Sequence, residues 1–223
     1  MSRPLLCIDL FCGLGGWTEG FLAEGYSVIG FDIERHIYGE HHYPAQLVLQ
    51  DVCTLHGSQF KDATCIVASS PCQEFSYRAM PWKRAKALGP PELGMHLFAQ
   101  AARIQREACE AAGRYIPMVQ ENVRAAQKWV GKARWNFGSY YLWGDVPALM
   151  PYRSNSVKGS GGGWFGDYKA RADKGAMTVK LSMTSSHSAA RKAASARIAK
   201  IPFPLAQYLA HYFAQPDVTE GAA

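Results

Sequence analysis

The sequence predicts an α/β fold built on a doubly wound, mostly parallel sheet, with a small irregular insertion in its C-terminal third. Short β-branched runs alternate with helical stretches up to about residue 145, the pattern of parallel strands joined by crossover helices. A glycine-rich turn at residues 13–16 directly follows the first run. Residues 153–195 differ, because they are rich in Gly, Ser and Lys and have few periodic apolar positions. With 223 residues, 48% of them apolar, the chain can bury one core.

Six runs are predicted to form the strands of the sheet. They are residues 5–10, 27–32, 46–49, 65–69, 116–120 and 139–143. The clearest helix lies between the fourth and fifth strands, where apolar residues recur at helical spacing and Gly113 can cap the end. Its apolar positions are Leu97, Ala101, Ile104, Ala108 and Ala111. A last helix is expected around Pro202-Phe203-Pro204, since proline is well tolerated in a first turn.

The net charge of +6 is concentrated in one segment. Residues 151–200 carry ten Lys or Arg against two Asp, a local charge of +8, while the rest of the chain sums to −2. Trp164, Phe165 and Tyr168 are interleaved with these cations. Such a segment favours contact with nucleic acid, because each neutralised phosphate releases condensed counterion. The alternatives are a solubilising surface and a mobile tail.

Composition also excludes several classes of protein. No apolar run approaches the roughly 20 residues that span a bilayer, and the N-terminus has no secretory pattern, so we expect a cytosolic protein without a membrane partner. The six cysteines show no Cys-x-x-Cys spacing. We therefore expect reduced thiols, no disulfide framework and no metal. A monomer is expected.

A glycine turn and two acids indicate a nucleoside-bearing ligand. Residues 13–16 allow the backbone to approach a ligand closely, and a helix N-terminus should follow. A nicotinamide site usually spaces its glycines G-x-G-x-x-G, but Thr18 stands where the third glycine should be. Asp32 ends the second predicted strand and Asp51 comes after the third, where a carboxylate can hold a ribose or merely cap a helix.

The segment Ser70-Pro71-Cys72-Gln73 places a thiol where the fourth strand gives way to a loop. Proline stiffens the backbone that enters Cys72 and so restricts the direction of the thiol, as a nucleophile requires. The alternative is a buried structural thiol, which is what most free cysteines are. Glu121 follows the fifth strand, which we expect beside the fourth. A carboxyl near Cys72 is a candidate general acid, whereas an exposed Glu at a strand end is usually only solvated.

Three segments resemble the motifs of the DNA cytosine-5 methyltransferases and occur in that family's order. Residues 9–21 resemble its cofactor loop, residues 70–76 its Pro-Cys-Gln nucleophile motif, and Glu121-Asn122-Val123 its Glu-Asn-Val motif. The resemblance covers about the first 123 residues. It implies a Rossmann-like methyltransferase that uses S-adenosyl-L-methionine and acts on double-stranded DNA, in the cytoplasm of a bacterial or phage-infected cell.

The resemblance also implies roles for individual residues. Cys72 would add to C6 of a flipped cytosine while Glu121 donates a hydrogen bond or proton at N3, so that C5 can take the methyl group. Residues implied to contact the cofactor are Phe11, Gly13, Leu14, Gly15, Gly16, Asp32, Ile33, Asp51, Val52 and Pro71. Residues implied to contact nucleic acid are Gln73, Ser76, Arg78, Lys83, Arg84, Arg153, Lys158, Lys169 and Arg171.

Residues 1–143 are expected to form the cofactor-binding and catalytic domain, 144–197 a small basic target-recognition region, 198–214 a helix returning to the catalytic domain, and 215–223 a frayed tail. Two family features are missing. No Gln-x-Arg-x-Arg stretch follows Val123, and Arg134 is the nearest candidate for its base-holding arginine. The family's last motif has Gly-Asn before a helix, and residues 199–206, at the corresponding place in this chain, contain no Gly-Asn. The short recognition region implies a short or degenerate target site.

Two other functions fit the same residues. One is an RNA or tRNA cytosine-5 methyltransferase with the same nucleophile motif. The other is a catalytically silent nucleic-acid-binding relative that keeps the fold. If the chain methylates DNA, it would serve a restriction-modification system or act as an orphan prokaryotic or phage enzyme.

Overall fold

The computed structural model describes residues 4–76, 89–151 and 189–215, which form a seven-stranded sheet flanked by helices. The strands are β1 (Leu6–Leu10), β2 (Ser27–Asp32), β3 (Gln46–Leu49), β4 (Cys65–Ser69), β5 (Met118–Asn122), β6 (Trp135–Phe137) and β7 (Tyr140–Gly144). The helices are α1 (Gly16–Ala23), α2 (Glu92–Ala112), α3 (Gln127–Val130), α4 (Ala189–Ala199) and α5 (Phe203–Phe213). Short 3-10 helices cover Val52–Thr54, Gly57–Phe60 and Arg124–Ala126.

The strands lie in the order β3-β2-β1-β4-β5-β7-β6, and β1 to β5 are parallel. β7 pairs antiparallel with β5, and β6 pairs antiparallel with β7. This sheet confirms the predicted doubly wound fold. The chain runs outward from β1 to β3 in one direction and from β4 to β5 in the other. Ligands of such sheets bind at this reversal, beyond the carboxyl ends of the strands.

The predicted strands agree with the structure to within two residues, but β6 was not predicted. It has only three residues and is joined to β7 by a tight turn in which Gly138 has φ +62°. Such a short edge strand carries too few residues for an alternating pattern to be recognised.

The prediction of irregular structure for residues 153–195 is wrong at its end, because α4 begins at Ala189. Alanine, the best helix former, supplies six of the eleven residues of α4. Residues 152–188 lie outside the described residues, so the boundaries of the 144–197 region stay a prediction. None of the helices in the described part of the chain is long and apolar enough to cross a membrane.

Two apolar layers hold the sheet. On one face, α1 and α5 pack through Trp17, Phe21, Leu209 and Phe213. On the other, α2 buries three of its predicted apolar positions and ends at Gly113, whose φ of +62° caps the helix as predicted. The three buried positions are Ala101, Ile104 and Ala108, whereas Ala111 is exposed. The predicted last helix is confirmed, with proline in its first turn.

The contact between α1 and α5 depends on Gly20, which lies on the buried face of α1. A Cβ atom there would come within 2.4 Å of the Gln207 backbone nitrogen. We therefore expect Gly20→Ala to lower the free energy of unfolding by about 1–3 kcal/mol, because backbone must move to admit the methyl group. Urea unfolding measures this, with Gly89→Ala as the control, since a Cβ at Gly89 meets nothing within 4 Å. Equal losses in both variants would contradict the expectation.

Candidate active site

The turn after β1 has a left-handed backbone at three residues, two of which are glycines. Phe11 has φ +56°, and Gly13 and Gly15 have φ of +51° and +73°. A Cβ atom on Gly15 would lie 2.5 Å from the Pro44 side chain, so glycine is needed there for space as well as for conformation. A Cβ atom on Gly13 would meet nothing within 4 Å. The space above Gly13 is therefore open to a ligand.

Asp32, at the end of β2, accepts a hydrogen bond from this turn. Its Oδ2 accepts a hydrogen bond from the Gly13 N–H (2.9 Å), and its Oδ1 accepts one from the Glu34 N–H (3.1 Å). The His36 Nε2 lies 3.6 Å from Oδ1. Burial opposes ionisation, but hydrogen bonds from His36, Gly13 and Glu34 outweigh it and lower the pKa of Asp32. A charged carboxylate with lone pairs still available therefore lies beside the glycine turn.

The other residues implied to contact the cofactor differ in how they are exposed. Ile33 is 75% exposed, and Pro71 is also exposed. The Asp51 carboxylate accepts a hydrogen bond from the second backbone N–H after it (2.9 Å) and so caps a short helix. The side chains of Leu14 and Val52 are buried, so they can support the site but offer little surface to a ligand.

The segment before Cys72 is fastened to its neighbours on both sides. The Trp17 Nε1 of α1 donates a hydrogen bond to the Ser69 Oγ (2.9 Å). The Asn122 side-chain amide donates to the Ser70 carbonyl (3.0 Å) and lies 3.1 Å from its Oγ. The sequence did not predict that Trp17 and Asn122 position this segment. Asn122 stands beside Glu121 in a motif, but no sequence signal links Trp17 to a serine 52 positions away.

Cys72 lies in a compact turn after β4 and is partly exposed. Its carbonyl accepts hydrogen bonds from the backbone N–H groups of Phe75 (3.1 Å) and Ser76 (3.0 Å). Phe75 is fully buried, whereas Gln73 is exposed and Ser76 partly so. The thiol is thus carried by a defined turn at the open edge of the sheet.

Glu121 lies in β5, and this strand is the neighbour of β4, which precedes Cys72, as predicted. β4 and β5 pair in parallel, with Ser69 opposite Glu121. Glu121 is only 6% exposed, so it is not simply a solvated acid at a strand end. Because Cys72 follows Ser69 by three residues, the thiol and the carboxyl group belong to the same edge of the sheet.

Arg134 precedes β6, and its side chain points toward the opposite edge. The backbone N–H donates to the Leu142 carbonyl (2.9 Å), and the guanidinium lies 3.4 Å from the Gly144 carbonyl. Gly144 pairs with Val119, near the start of β5, whereas Cys72 lies beyond the end of the neighbouring strand. In this conformation the guanidinium is directed away from the thiol.

Asp9 forms a buried hydrogen-bonded chain beneath the glycine turn. Its Oδ2 accepts from the Thr18 hydroxyl (2.6 Å), which lies 2.7 Å from the hydroxyl of Tyr43. Asp9 is fully buried, and its Oδ1 has no hydrogen-bond partner among the described residues. Burial raises the pKa of Asp9 to about 8, against the opposing effect of the Thr18 hydrogen bond. The sequence did not predict these hydrogen bonds, because Tyr43 follows no recognisable motif.

The pKa of Asp9 predicts a pH-dependent stability. Between about pH 4 and pH 8 the native carboxyl keeps its proton while the unfolded chain releases it, so the free energy of unfolding should fall as the pH rises. The slope contributed by Asp9 is up to about 1.4 kcal/mol per pH unit. Asp9→Asn should lack this contribution, and urea unfolding at several pH values compares the two proteins. Identical slopes would show that Asp9 ionises normally in the folded state.

Several predicted contacts cannot be placed, because they fall outside the described residues. They are Arg78, Lys83, Arg84, Arg153, Lys158, Lys169 and Arg171. Within residues 4–76, 89–151 and 189–215, no group of three His, Cys, Asp or Glu side chains could hold a metal ion.

Comparison with known proteins identifies the family of this site. A model of the C-5 cytosine-specific DNA methylases matches residues 5–127, more than half of the chain. The chain belongs to this family. The match contains the glycine turn, Cys72 and Glu121, and membership implies S-adenosyl-L-methionine as the methyl donor.

Individual relatives match only part of this chain. The Type II methyltransferase M.DdeI of Desulfomicrobium norvegicum is 33% identical in an alignment of 78 residues that covers 31% of this chain and 19% of that protein. A protein described as a DNA modification methyltransferase from an E. coli prophage is 24% identical, with a TM-score of 0.42, over 57% of this chain and 35% of that one. S. pombe Dnmt2 is 18% identical, with a TM-score of 0.38, over 58% and 38%. The chain spans about a fifth of the length of the curated relative it matches.

Proposed function

We propose that this chain transfers a methyl group from S-adenosyl-L-methionine to C5 of cytosine in double-stranded DNA. The observation that carries the proposal is the pairing of β4 with β5, which brings Cys72 and Glu121 to one edge of the sheet. The glycine turn after β1 lies at the same edge, since β1 pairs with β4 in parallel. A nucleophile, an acid and a cofactor loop are then neighbours.

The residues of the chain divide the chemistry between them. The Cys72 thiolate adds to C6 of cytosine while Glu121 donates a hydrogen bond or proton at N3, which makes C5 enamine-like and nucleophilic. When bound, the cofactor would supply the methyl group that C5 takes and would leave as S-adenosyl-L-homocysteine. A base then removes the C5 proton, and the C6–sulfur bond breaks to release the thiolate and restore the aromatic ring.

The glycine turn and the acids beside it support a nucleoside-bearing ligand. The open space above Gly13 admits the ligand close to the backbone, as at other glycine-rich turns that precede a helix. Asp32 has the charge and lone pairs to accept ribose hydroxyl groups. Exposed Ile33 would lie against the adenine, and Asp51 would accept from its amino group. Phe11, Leu14, Gly15, Gly16, Val52 and Pro71 complete the proposed surroundings of the cofactor.

Cytosine C5 is inaccessible inside a duplex, so the target base must be flipped into the site. The residues proposed to hold the nucleic acid are Gln73 and Ser76 beside the thiol, Arg78, Lys83 and Arg84 after it, and Arg153, Lys158, Lys169 and Arg171 in the recognition region. That region, residues 144–197, is short, and a short or degenerate target sequence follows. We place this activity in the cytoplasm of a bacterial or phage-infected cell.

Transfer of tritiated methyl groups tests the substrate. Duplex DNA and tRNA are offered in parallel with labelled S-adenosyl-L-methionine, and the proposal predicts incorporation into cytosine C5 of DNA. Methylation of tRNA alone would refute the DNA assignment in favour of an RNA methyltransferase. Binding of DNA without incorporation on any sequence would favour a catalytically silent relative.

Arg134 is proposed to hold the flipped base, which requires its side chain to turn away from Gly144. Arg134→Ala should then lower kcat by about tenfold to a hundredfold with little change in cofactor affinity, since one charge-assisted contact to the base is lost. Steady-state kinetics on methylatable DNA measure this. Full activity would transfer the role to another cation, and exposed Arg124, directly after Val123, is the first to test.

A further inference from the structure

Cys72 lies midway between two anchored residues. On one side, two positions before it, Ser70 is held by Asn122 of β5. On the other side, two positions after it, the Glu74 Oε2 accepts a hydrogen bond from the Gly94 N–H of α2 (2.6 Å). The turn that carries the thiol is therefore tied to a strand at one end and to a helix at the other.

The Glu74 bond supplies a cap that α2 otherwise lacks. α2 has 21 residues, and Pro91 at its N-cap position has no side-chain oxygen that could accept from the first turn. The first N–H groups of a helix have no partner within the helix, and their positive end attracts an anion. Glu74 provides both the acceptor and the charge from twenty residues earlier in the chain.

Packing reinforces this bond. The fully buried ring of Phe75 follows Glu74 directly, and a Cβ atom on Gly94 would lie 3.1 Å from two ring carbons. Glycine at position 94 thus lets the Cys72 turn approach α2 closely. The Phe75 backbone N–H also donates a hydrogen bond to the Cys72 carbonyl. A shift of Phe75 against Gly94 would therefore move Cys72 as well.

We propose that Glu74 is a positioning residue, whose bond to the N-terminus of α2 fixes the Cys72 turn for attack on cytosine. The inference rests on the proposed function, because it assumes that Cys72 is the nucleophile. A displacement of about 1 Å at a reacting group can cost a hundredfold in rate, so the anchor affects kcat and not cofactor affinity.

Two readouts on Glu74→Ala test the proposal. Tritium transfer to DNA should give a kcat about tenfold to a hundredfold below that of the unaltered protein, with the cofactor dissociation constant unchanged. Alkylation by iodoacetamide, followed residue by residue with mass spectrometry, should show a changed rate at Cys72 and the same rate at Cys53. Glu74→Gln keeps an acceptor oxygen and should restore most of both properties.

Glu92→Ala is the matched control, since it removes an exposed acid from the same first turn of α2. It should leave kcat and Cys72 alkylation near their original values. Unchanged kcat and alkylation in Glu74→Ala, or equal losses in Glu92→Ala, would overturn the proposal. If the unaltered protein methylates no cytosine, the proposed function fails, and the alkylation rates alone decide whether Glu74 fixes the turn.

Discussion

Cys72→Ser is expected to abolish methyl transfer, with a loss of about a thousandfold or more in kcat. The hydroxyl group of serine is far less acidic than a thiol and is a poor nucleophile toward C6 of cytosine. Cofactor affinity should change little, because the proposed cofactor contacts of Gly13 and Asp32 lie in the turn after β1 and at the end of β2. Tritium transfer and equilibrium dialysis with labelled S-adenosyl-L-methionine measure the two properties separately.

Cys109→Ser is the control for a general effect of losing a thiol. Cys109 lies in α2, where its sulfur accepts from the Ile116 N–H (3.2 Å), and a serine hydroxyl can accept the same bond. This variant should keep its activity. Equal loss of cofactor binding and activity in Cys72→Ser would mean that Cys72 is a structural residue.

Glu121→Gln is expected to lower kcat by about a hundredfold to ten-thousandfold, the usual contribution of a positioned acid. Glutamine preserves the size of the buried side chain but cannot deliver a proton to N3. Because the amide can still donate a hydrogen bond, some activity should remain, and KM for DNA should change less than kcat. Single-turnover kinetics on methylatable DNA separate the chemical step from binding.

The control for Glu121→Gln is Glu110→Gln, on an exposed position of α2. This substitution makes the same change from carboxyl group to amide at a site distant in sequence from every proposed contact. Its kcat should equal that of the unaltered protein. A Glu121→Gln variant with full kcat would contradict the role of Glu121 as an acid and leave the carboxyl group with a structural role.

The sequence predicts most of this fold because its strands have distinct boundaries. The glycines at residues 13–16 mark the end of β1, and the proline before Cys72 marks the end of β4. Order within the sheet followed from the alternation of strands and helices, which places β4 beside β5. The edge of the sheet was harder to predict, since β6 has three residues and pairs with β7 alone among the described strands.

The supporting contacts of the site could not be predicted, because they join residues far apart in sequence. Trp17 and Ser69, or Glu74 and Gly94, meet only after the helices have packed on the sheet. The residue types give no specific signal for these contacts. A tryptophan after a glycine turn is expected in the core, and a glutamate in a loop is expected to be solvated. Arg134 shows the converse, since a motif-based expectation names a residue but does not say where its guanidinium points.

Trapping of the covalent intermediate tests the central claim most directly. DNA duplexes with 5-fluorocytosine are incubated with the protein and S-adenosyl-L-methionine, and the fluorine blocks the final elimination because no C5 proton can be removed. We predict a denaturation-resistant adduct whose digestion products locate the DNA on the Cys72 peptide. Methyl transfer to ordinary cytosine without any adduct at Cys72 on the fluorinated duplex would contradict the account.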